Sequence, residues 1–202
     1  VRKPAGYVQE LFRLAVRVCG VREKSFMKQV QLIPYVMAHV PKTVSWANDK
    51  EIMYLIDRSG HRITINECRQ WCRRVTQDTT KRVFAILDVK QGIHIGNCGF
   101  SDIDRKRKKA KLWIYIGEKS CWGKGFGKQA LRQLLYLGFG KLKLHRIYLY
   151  IIQDNVRAGK LYESAGFVKE GVFRDDTFLN GKYRDTVYYA LLKDEYGQGR
   201  IT

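Results

Sequence analysis

The residues best suited to chemistry form a glycine-rich loop, Trp122-Gly123-Lys124-Gly125-Phe126-Gly127-Lys128, between a predicted strand and a predicted helix. Glycines allow the backbone to turn tightly and bring its amide N–H groups close to a ligand. The start of the helix adds a partial positive charge, and Lys124 and Lys128 add formal charge. We therefore predict a pyrophosphate-binding loop; the alternative is a tight strand-to-helix turn without a ligand.

Two common phosphate loops do not fit this pattern. A P-loop requires Gly-Lys-Ser/Thr after a gap of four residues, and this combination does not occur here. A Rossmann loop follows the first strand of its unit and needs an acidic residue about 20 residues later. Here three predicted strands precede the strand that leads into the loop, and residues 141–144 supply no acid.

A second motif follows the loop, with the pattern Asn155-x-x-Ala158-x-x-x-Tyr162-x-x-x-Gly166-Phe167. Asn155 suits the N-cap of a helix, and Gly166 suits its end. Tyr162 lies on the apolar stripe of this predicted helix. Taken alone, Tyr162 is as readily a core tyrosine as a functional one.

The elements that position these residues can be read from hydrophobic periodicity. Thr64 and Glu67 form a capping-box pair ahead of an amphipathic helix that carries Cys68 and Cys72. A meander of strands comes first, and a strand–helix–strand pattern follows, which predicts a mixed α/β sheet. The predicted strands are Val30–Ile33, Val83–Val89, Ile93–Phe100, Leu112–Ile116, Arg146–Ile152, Phe167–Phe173 and Arg184–Leu192.

Composition limits the class of protein. The 202 residues include 45% hydrophobic ones and carry a net charge of +19, which predicts a folded protein that attracts anions. No apolar run reaches membrane-spanning length. Five cysteines, an odd number without regular spacing, predict a reducing, cytoplasmic setting, and no metal site is expected at Cys68 and Cys72. We expect residues 1–26 to form a basic extension outside the domain and residues 27–202 to form the domain; the alternative for 7–18 is an amphipathic membrane-surface helix.

In their order and spacing, the loop and the Asn155/Tyr162 motif resemble the GNAT superfamily of acetyl-CoA-dependent N-acetyltransferases. The resemblance covers about residues 110–192, although Trp122 stands where Gln or Arg is usual. The tail from Phe178 to Asp185 is similar to ribosomal-protein N-terminal and spermidine acetyltransferases. The segment Trp46-Ala-Asn48-Asp49 is similar to aminosugar-nucleotide acetyltransferases.

The resemblance implies a mostly antiparallel central sheet with a splayed strand pair and flanking helices. It implies acetyl-CoA as co-substrate, with its pyrophosphate on Gly123–Lys128 and its pantetheine arm beside Ile116, where a bulge in the fourth strand opens the cleft. Asn155 is expected to hydrogen-bond the arm. Tyr162 is expected near the thioester sulfur, where it would serve the departing thiolate.

The general base is less well defined. Lys111 stands where many relatives carry a glutamate, which leaves Asp102, Asp104, Glu118 and His94 as candidates. An amine with a pKa of about 10.4 is neutral about once in 2,500 at pH 7, whereas an α-amine is neutral about once in six to ten. We therefore expect a protein N-terminus or similar α-amine as acceptor, then an aminosugar or its nucleotide, then a polyamine.

Acceptor contacts are predicted at Trp46, Asn48, Asp49, Tyr183 and Arg184; the alternatives are that Trp46 is plain core and Asn48 a helix cap. The cation run Arg105–Lys111 reads as a solvated turn in preference to a nucleic-acid contact. A non-catalytic RNA-binding module is disfavoured because the Asn155/Tyr162 motif is retained. Homo-oligomerisation stays open.

Overall fold

A computed structural model describes residues 29–57 and 60–197. The predicted extension at residues 1–26, with its alternative helix at 7–18, lies outside the described residues. Within the described ranges, seven strands form one sheet in the order β1-β2-β3-β4-β5-β7-β6. The strands are β1 (Val30–Pro34), β2 (Arg82–Asp88), β3 (Ile93–Asp104), β4 (Lys109–Ile116), β5 (Arg146–Ile152), β6 (Val168–Leu179) and β7 (Lys182–Leu192).

Helices cover both faces of this sheet. No helix in the described ranges is long and apolar enough to cross a bilayer. A π-helical stretch at Tyr136–Lys141 and 3₁₀ turns at Met37–His39 and Lys119–Cys121 complete the connections. The α-helices are α1 (Val40–Ala47), α2 (Lys50–Leu55), α3 (Ile65–Gln77), α4 (Phe126–Leu135), α5 (Val156–Ser164) and α6 (Lys193–Gly197).

The central strands β4 and β5 separate soon after they pair. They run parallel over three residue pairs, from Lys109↔Arg146 to Lys111↔Tyr148, whereas the other strand pairs of the described sheet are antiparallel. Beyond Lys111 the two strands diverge, which confirms the predicted mixed sheet with a splayed pair.

The backbone irregularities fall on β3 and not on β4. Pairing of β3 with β4 is regular from Gly96↔Ile116 to Ser101↔Lys111. β3 has one extra residue near Ile95, where it pairs with β2, and another near Asp102, where it pairs with β4. The φ of Asp102 is +53°. The bulge expected in the fourth strand is therefore absent from this stretch, and β4 simply diverges from β5.

The core lies on both sides of the sheet. On one side, α4 buries Ala130, Leu131, Leu134 and Leu135 against the strands. On the other side, α3 buries Cys68 and Cys72, as its periodicity predicts. The capping box of α3 is formed as expected, with Thr64 Oγ1 accepting from Glu67 N at 3.2 Å and Glu67 Oε2 accepting from Thr64 N at 2.7 Å.

The last hairpin is longer than its sequence suggests. β6 continues to Leu179 and β7 begins at Lys182, whereas the prediction ended one strand at Phe173 and began the next at Arg184. Asn180 and Gly181 join them with φ of +52° and +78°, the left-handed values of a tight hairpin turn. The middle of β6 is polar and largely exposed, so it lacks the apolar signal by which strands are recognised.

Helix α1 docks on the end of β4 through a glycine. Gly117 lies against the Trp46 ring so closely that a Cβ would fall 2.0 Å from Trp46 Cδ2. We expect Gly117→Ala to lower the free energy of unfolding by about 1–3 kcal/mol, because the ring or the strand must move. Urea denaturation measures this loss.

Gly171→Ala is the matched control, since a Cβ at Gly171 meets nothing within 4 Å. Its unfolding free energy should change by less than about 0.5 kcal/mol. Equal losses in the two variants would contradict the proposed packing role of Gly117.

Candidate functional site

A cavity of about 830 Å³ opens where β4 and β5 diverge. It is lined by elements from both sides of the cleft, including the glycine loop, α5 and the exposed side of β4. Neither Lys124 nor Lys128 lines it, so their charges lie outside the cavity wall. The cavity brings together seven of the predicted site residues: Ile116, Gly123, Gly125, Phe126, Gly127, Asn155 and Tyr162.

The glycine loop has the backbone conformation that its sequence implies. Gly123 and Gly125 adopt φ of +74° and +82°, left-handed values that favour glycine. Gly125 is the N-cap of α4, so the first amide N–H groups of this helix follow directly. The loop thus presents a helix N-terminus to the cavity, the geometry of an anion-binding turn.

Trp122 ties the loop to the strand before it. Its indole Nε1–H donates to the Ile116 carbonyl at 2.7 Å, and the Arg157 guanidinium lies 5.0 Å from the indole ring centroid. This bond explains how tryptophan serves at a position where Gln or Arg is usual. The sequence offered no signal for this role.

Tyr162 is buried in the wall of the cavity. The side chain is 4% exposed and packs edge-on against Phe167, with ring centroids 5.5 Å apart. Burial raises the pKa of the Tyr162 phenol well above its ordinary value. The phenol is therefore a reluctant proton donor but remains able to donate a hydrogen bond.

Asn155 already has two partners within the chain. Its Oδ1 accepts from Ala158 N at 3.1 Å, which caps α5, and its Nδ2 donates to the Leu55 carbonyl at 2.9 Å, which joins α5 to the end of α2. A primary amide has two N–H donors and an oxygen with two lone pairs. Asn155 therefore keeps one donor and one lone pair with which to meet a ligand in the cavity.

The predicted acceptor residues at the end of α1 have structural partners and do not line the cavity. Trp46 is 6% exposed and packs against Gly117. Asn48 exchanges hydrogen bonds with both backbone groups of Ile63, each at 2.9 Å. Asp49 caps α2 and pairs with Lys119 at 2.8 Å, and that pairing lowers its pKa. The predicted contact of these residues with the acceptor stays a prediction.

The predicted hairpin residues also lie outside the cavity lining. Tyr183 is 64% exposed and lies beside Phe178. Arg184 pairs with Asp154 at 3.3 Å, and the same carboxylate accepts from the Tyr54 hydroxyl at 2.6 Å. Arg184 therefore links β7 to α2 beside the cleft, and its contact with an acceptor stays a prediction.

The side chains at alternate positions of β4 form a cavity wall that sequence reasoning did not assign. Lys111, Trp113 and Tyr115 all line the cavity, and the Lys111 ammonium lies 3.6 Å from the centroid of the Tyr150 ring on β5. Alternation along a strand places such residues on one face. That signal was present in the sequence, but Lys111 was noted only where a glutamate is usual and as the end of the cation run expected to be a solvated turn; the run's last members, Lys109 and Lys111, lie in β4 instead.

A buried polar network supports this wall from behind. Asn97 Nδ2 donates to Tyr115 Oη at 2.7 Å and to Thr43 Oγ1 at 3.0 Å. His94 Nε2 lies within hydrogen-bond distance of the Gly96 carbonyl at 2.9 Å and of Asn97 Oδ1 at 2.8 Å. These bonds fix Tyr115 relative to β3 and α1.

None of the four candidates for the general base lines the described cavity. Asp104 is bonded to Arg107 in the basic turn, and Glu118 pairs with Lys42 at 3.1 Å. Asp102 is exposed on the β3 bulge, and His94 is buried in the network behind Tyr115. The carboxylates that do line the cavity are those of Asp57 and Glu67.

A sheet that splays beside a glycine loop and a helix bearing Tyr162 defines an acetyltransferase of the GNAT type. The chain belongs to this family, since residues 29–168 match the acetyltransferase (GNAT) domain. The resemblance drawn from the glycine loop and the Asn155/Tyr162 motif is confirmed. The family match extends well before residue 110, where the recognised motifs began.

Two curated relatives and one crystal structure show which members are similar. The N-acetyltransferase p20 of Bacillus licheniformis is 36% identical over 56% of this chain and 63% of its own length. A spermidine N(1)-acetyltransferase of Vibrio cholerae is 30% identical over 66% of this chain and 76% of its own length. The crystal structure of a V. cholerae spermidine N-acetyltransferase with CoA and spermine superposes with a TM-score of 0.78 at 27% identity, covering 83% of this chain and 98% of that one.

A ribosomal N-acetyltransferase by name, YdaF of Bacillus subtilis, is 34% identical over 50% of this chain and 55% of its own length. Both acceptor groups suggested by the tail from Phe178 to Asp185 therefore occur among the relatives. The match to p20 spans less than two thirds of that protein's length.

The loop glycines provide a paired test of the backbone geometry. Gly125→Ala should lower the free energy of unfolding by about 1–2 kcal/mol, because alanine is strained at a φ of +82°. Gly127→Ala should leave stability unchanged or raise it by up to about 1 kcal/mol, since a Cβ there lies 3.7 Å from Leu161 Cδ2 and alanine favours helix. Denaturant unfolding measures the free energy of unfolding of both variants. Equal changes in the two would refute the assigned loop conformation.

Proposed function

We propose that this protein transfers the acetyl group of acetyl-CoA to a primary amine. The observation that carries the proposal is the junction of three features in one cavity: the divergence of β4 from β5, the left-handed glycines at the start of α4, and buried Tyr162 on α5. Family membership supports the same activity.

The chain's own groups suit acetyl-CoA, which supplies the activated acetyl thioester. Backbone N–H groups of Gly123 to Lys128 would hold its pyrophosphate, with the charges of Lys124 and Lys128 acting from outside the cavity wall. The edge of β4 beyond Lys111 no longer pairs with β5 and could pair with an extended arm, although the Ile116 carbonyl already accepts from Trp122 Nε1. Asn155 has the remaining hydrogen-bonding capacity described above.

Tyr162 is proposed to assist departure of the thiolate. A phenol of ordinary pKa already transfers its proton to a thiolate uphill by about 2 kcal/mol, and burial raises the phenol's pKa further. A hydrogen bond to the developing thiolate is therefore the favoured role, without complete proton transfer. A backbone N–H of the splayed β4 would stabilise the oxyanion.

We expect Tyr162→Phe to lower kcat by about 10- to 100-fold, because the thiolate loses its hydrogen-bond donor but solvent can still protonate it. The KM for acetyl-CoA should change little, since the ring packing is retained. Thiol release measured at saturating acetyl-CoA gives both constants. An unchanged kcat, with thiol release still limited by chemistry, would show that Tyr162 is a core residue only.

The acceptor has two candidates, each supported by a different observation. The spermidine acetyltransferases among the relatives favour a polyamine. A polyamine is therefore at least as well supported an acceptor as the α-amine expected from sequence. The cavity favours the α-amine, because a lysine occupies the wall where a carboxylate base would serve a strongly basic acceptor. No described feature favours an aminosugar over these two.

A panel of amines decides between them. Initial rates of thiol release are compared for spermidine, spermine, α-amino peptides and an aminosugar nucleotide, each at pH 7 and pH 9. A polyamine acceptor predicts the largest kcat/KM with spermidine or spermine, whereas an α-amine acceptor predicts it with a peptide. Release of no thiol with any primary amine would refute the proposed function.

A further inference from the structure

Lys111 occupies the point of the cleft at which the two central strands begin to separate. It forms the last pair of the parallel β4–β5 ladder with Tyr148, and the strands diverge beyond it. Its ammonium reaches across the divergence and lies 3.6 Å from the Tyr150 ring centroid, and both residues line the cavity. The aromatic face holds the cation in one position.

An arm that enters from the glycine loop and runs along β4 from Ile116 would extend toward this point. The strand between Ile116 and Lys111 spans about 17 Å, at roughly 3.3 Å per residue. Residues 111–116 of β4 all line the cavity, with Lys111, Trp113 and Tyr115 on one face of the strand. An amine that reaches the end of such an arm along this face would pass the Lys111 ammonium.

Basic side chains outnumber acidic ones in the lining of the cavity around Lys111. The charged groups and the histidine that line the cavity with Lys111 are Asp57, His61, Glu67, Arg74, Lys81 and Arg157. The other titratable groups of the lining are the thiols of Cys68 and Cys121 and the phenols of Tyr115, Tyr150 and Tyr162. The two carboxylates are already engaged, since Asp57 accepts from Thr177 at 2.6 Å and Glu67 accepts from Thr64 and His61. On the neighbouring strands, Tyr148 and Tyr150 lie beside Lys111, and Asp102 acts on Tyr148.

We propose that the Lys111 ammonium acts on the acceptor amine through its charge, favouring the neutral, nucleophilic form. A like charge within a few ångströms disfavours the charged form of an ionisable group. The acceptor ammonium gives its proton to solvent, and its lone pair forms the C–N bond at the thioester carbonyl carbon. The C–S bond breaks with its electron pair going to sulfur, and the new amide nitrogen loses its remaining extra proton to water.

This inference rests on the proposed acetyl transfer and holds for either acceptor class. Lysine cannot accept the proton as a carboxylate base would. Its charge can instead lower the fraction of the bound amine that is protonated. The fixed charge thus compensates for the lack of a base among the four sequence candidates.

The test is the pH dependence of kcat for wild type and two variants, measured with the best acceptor of the panel. Because kcat reports ionisations in the enzyme–substrate complex, the fall of kcat at low pH (its acid limb) follows protonation of the bound amine. We expect Lys111→Gln to move this limb up by about one pH unit, a tenfold loss at pH 7, with the high-pH plateau retained. Lys111→Arg keeps the charge and should keep the limb in place.

A structural role for Lys111 predicts a different result. Removing a repulsive charge should not raise the KM of a cationic acceptor, whereas a damaged cleft would raise it. Lys106→Gln, in the exposed turn outside the cavity, removes one charge as a control and should leave the limb unmoved. Lys111→Met, which can still pack on Tyr150, replaces Lys111→Gln if the latter does not fold.

The outcomes separate this inference from the function on which it rests. A wild-type protein that releases no thiol with any amine overturns both. Two results with an active wild type overturn only the role of Lys111. One is an acid limb of kcat at the same pH in wild type and in Lys111→Gln or Lys111→Met. The other is a loss of kcat in the variant that is equal at every pH.

Discussion

The separation of β4 from β5 is the constraint on which the site depends. Three residue pairs hold the strands in parallel, and beyond Lys111 each strand has an edge without its partner. Exposed edges are normally a liability, because their N–H and C=O groups seek other partners. Here the unpaired edges of β4 and β5 lie inside the molecule, where α4, α5 and the glycine loop enclose them. The cleft is thus a gap in one sheet, and it does not require a second domain.

The polar groups predicted to contact the acceptor mostly hold the protein together. Asn48 bridges α1 to Ile63, and Asp49 caps α2 while pairing with Lys119. Such bonds are worth more when buried than at the surface, because the partner left behind would be unsatisfied. The cavity itself is lined by residues 111–116 of β4, whose backbone is fixed by pairing with β3.

Much of the fold could be predicted from sequence, and the site only in part. The capping box at Thr64, the burial of Cys68 and Cys72, and the glycine loop followed by Asn155 were predictable because each depends on local geometry. The acceptor contacts expected at Asn48 and Asp49 stay predictions, because Asn and Asp use the same hydrogen bonds to cap helices as to bind ligands. Even Asn155 caps a helix in this fold.

The hydrogen bond from Asn155 Nδ2 to the Leu55 carbonyl joins the start of α5 to the end of α2. The Tyr54 bond to Asp154 adds a second connection one residue away on each segment. Where two segments are joined in this way, ordering the first turn of α5 would also reduce the freedom of α2. Thermodynamic linkage makes that coupling reciprocal: whatever a first ligand gains from the rigidity of the second segment, the second ligand gains equally from the first.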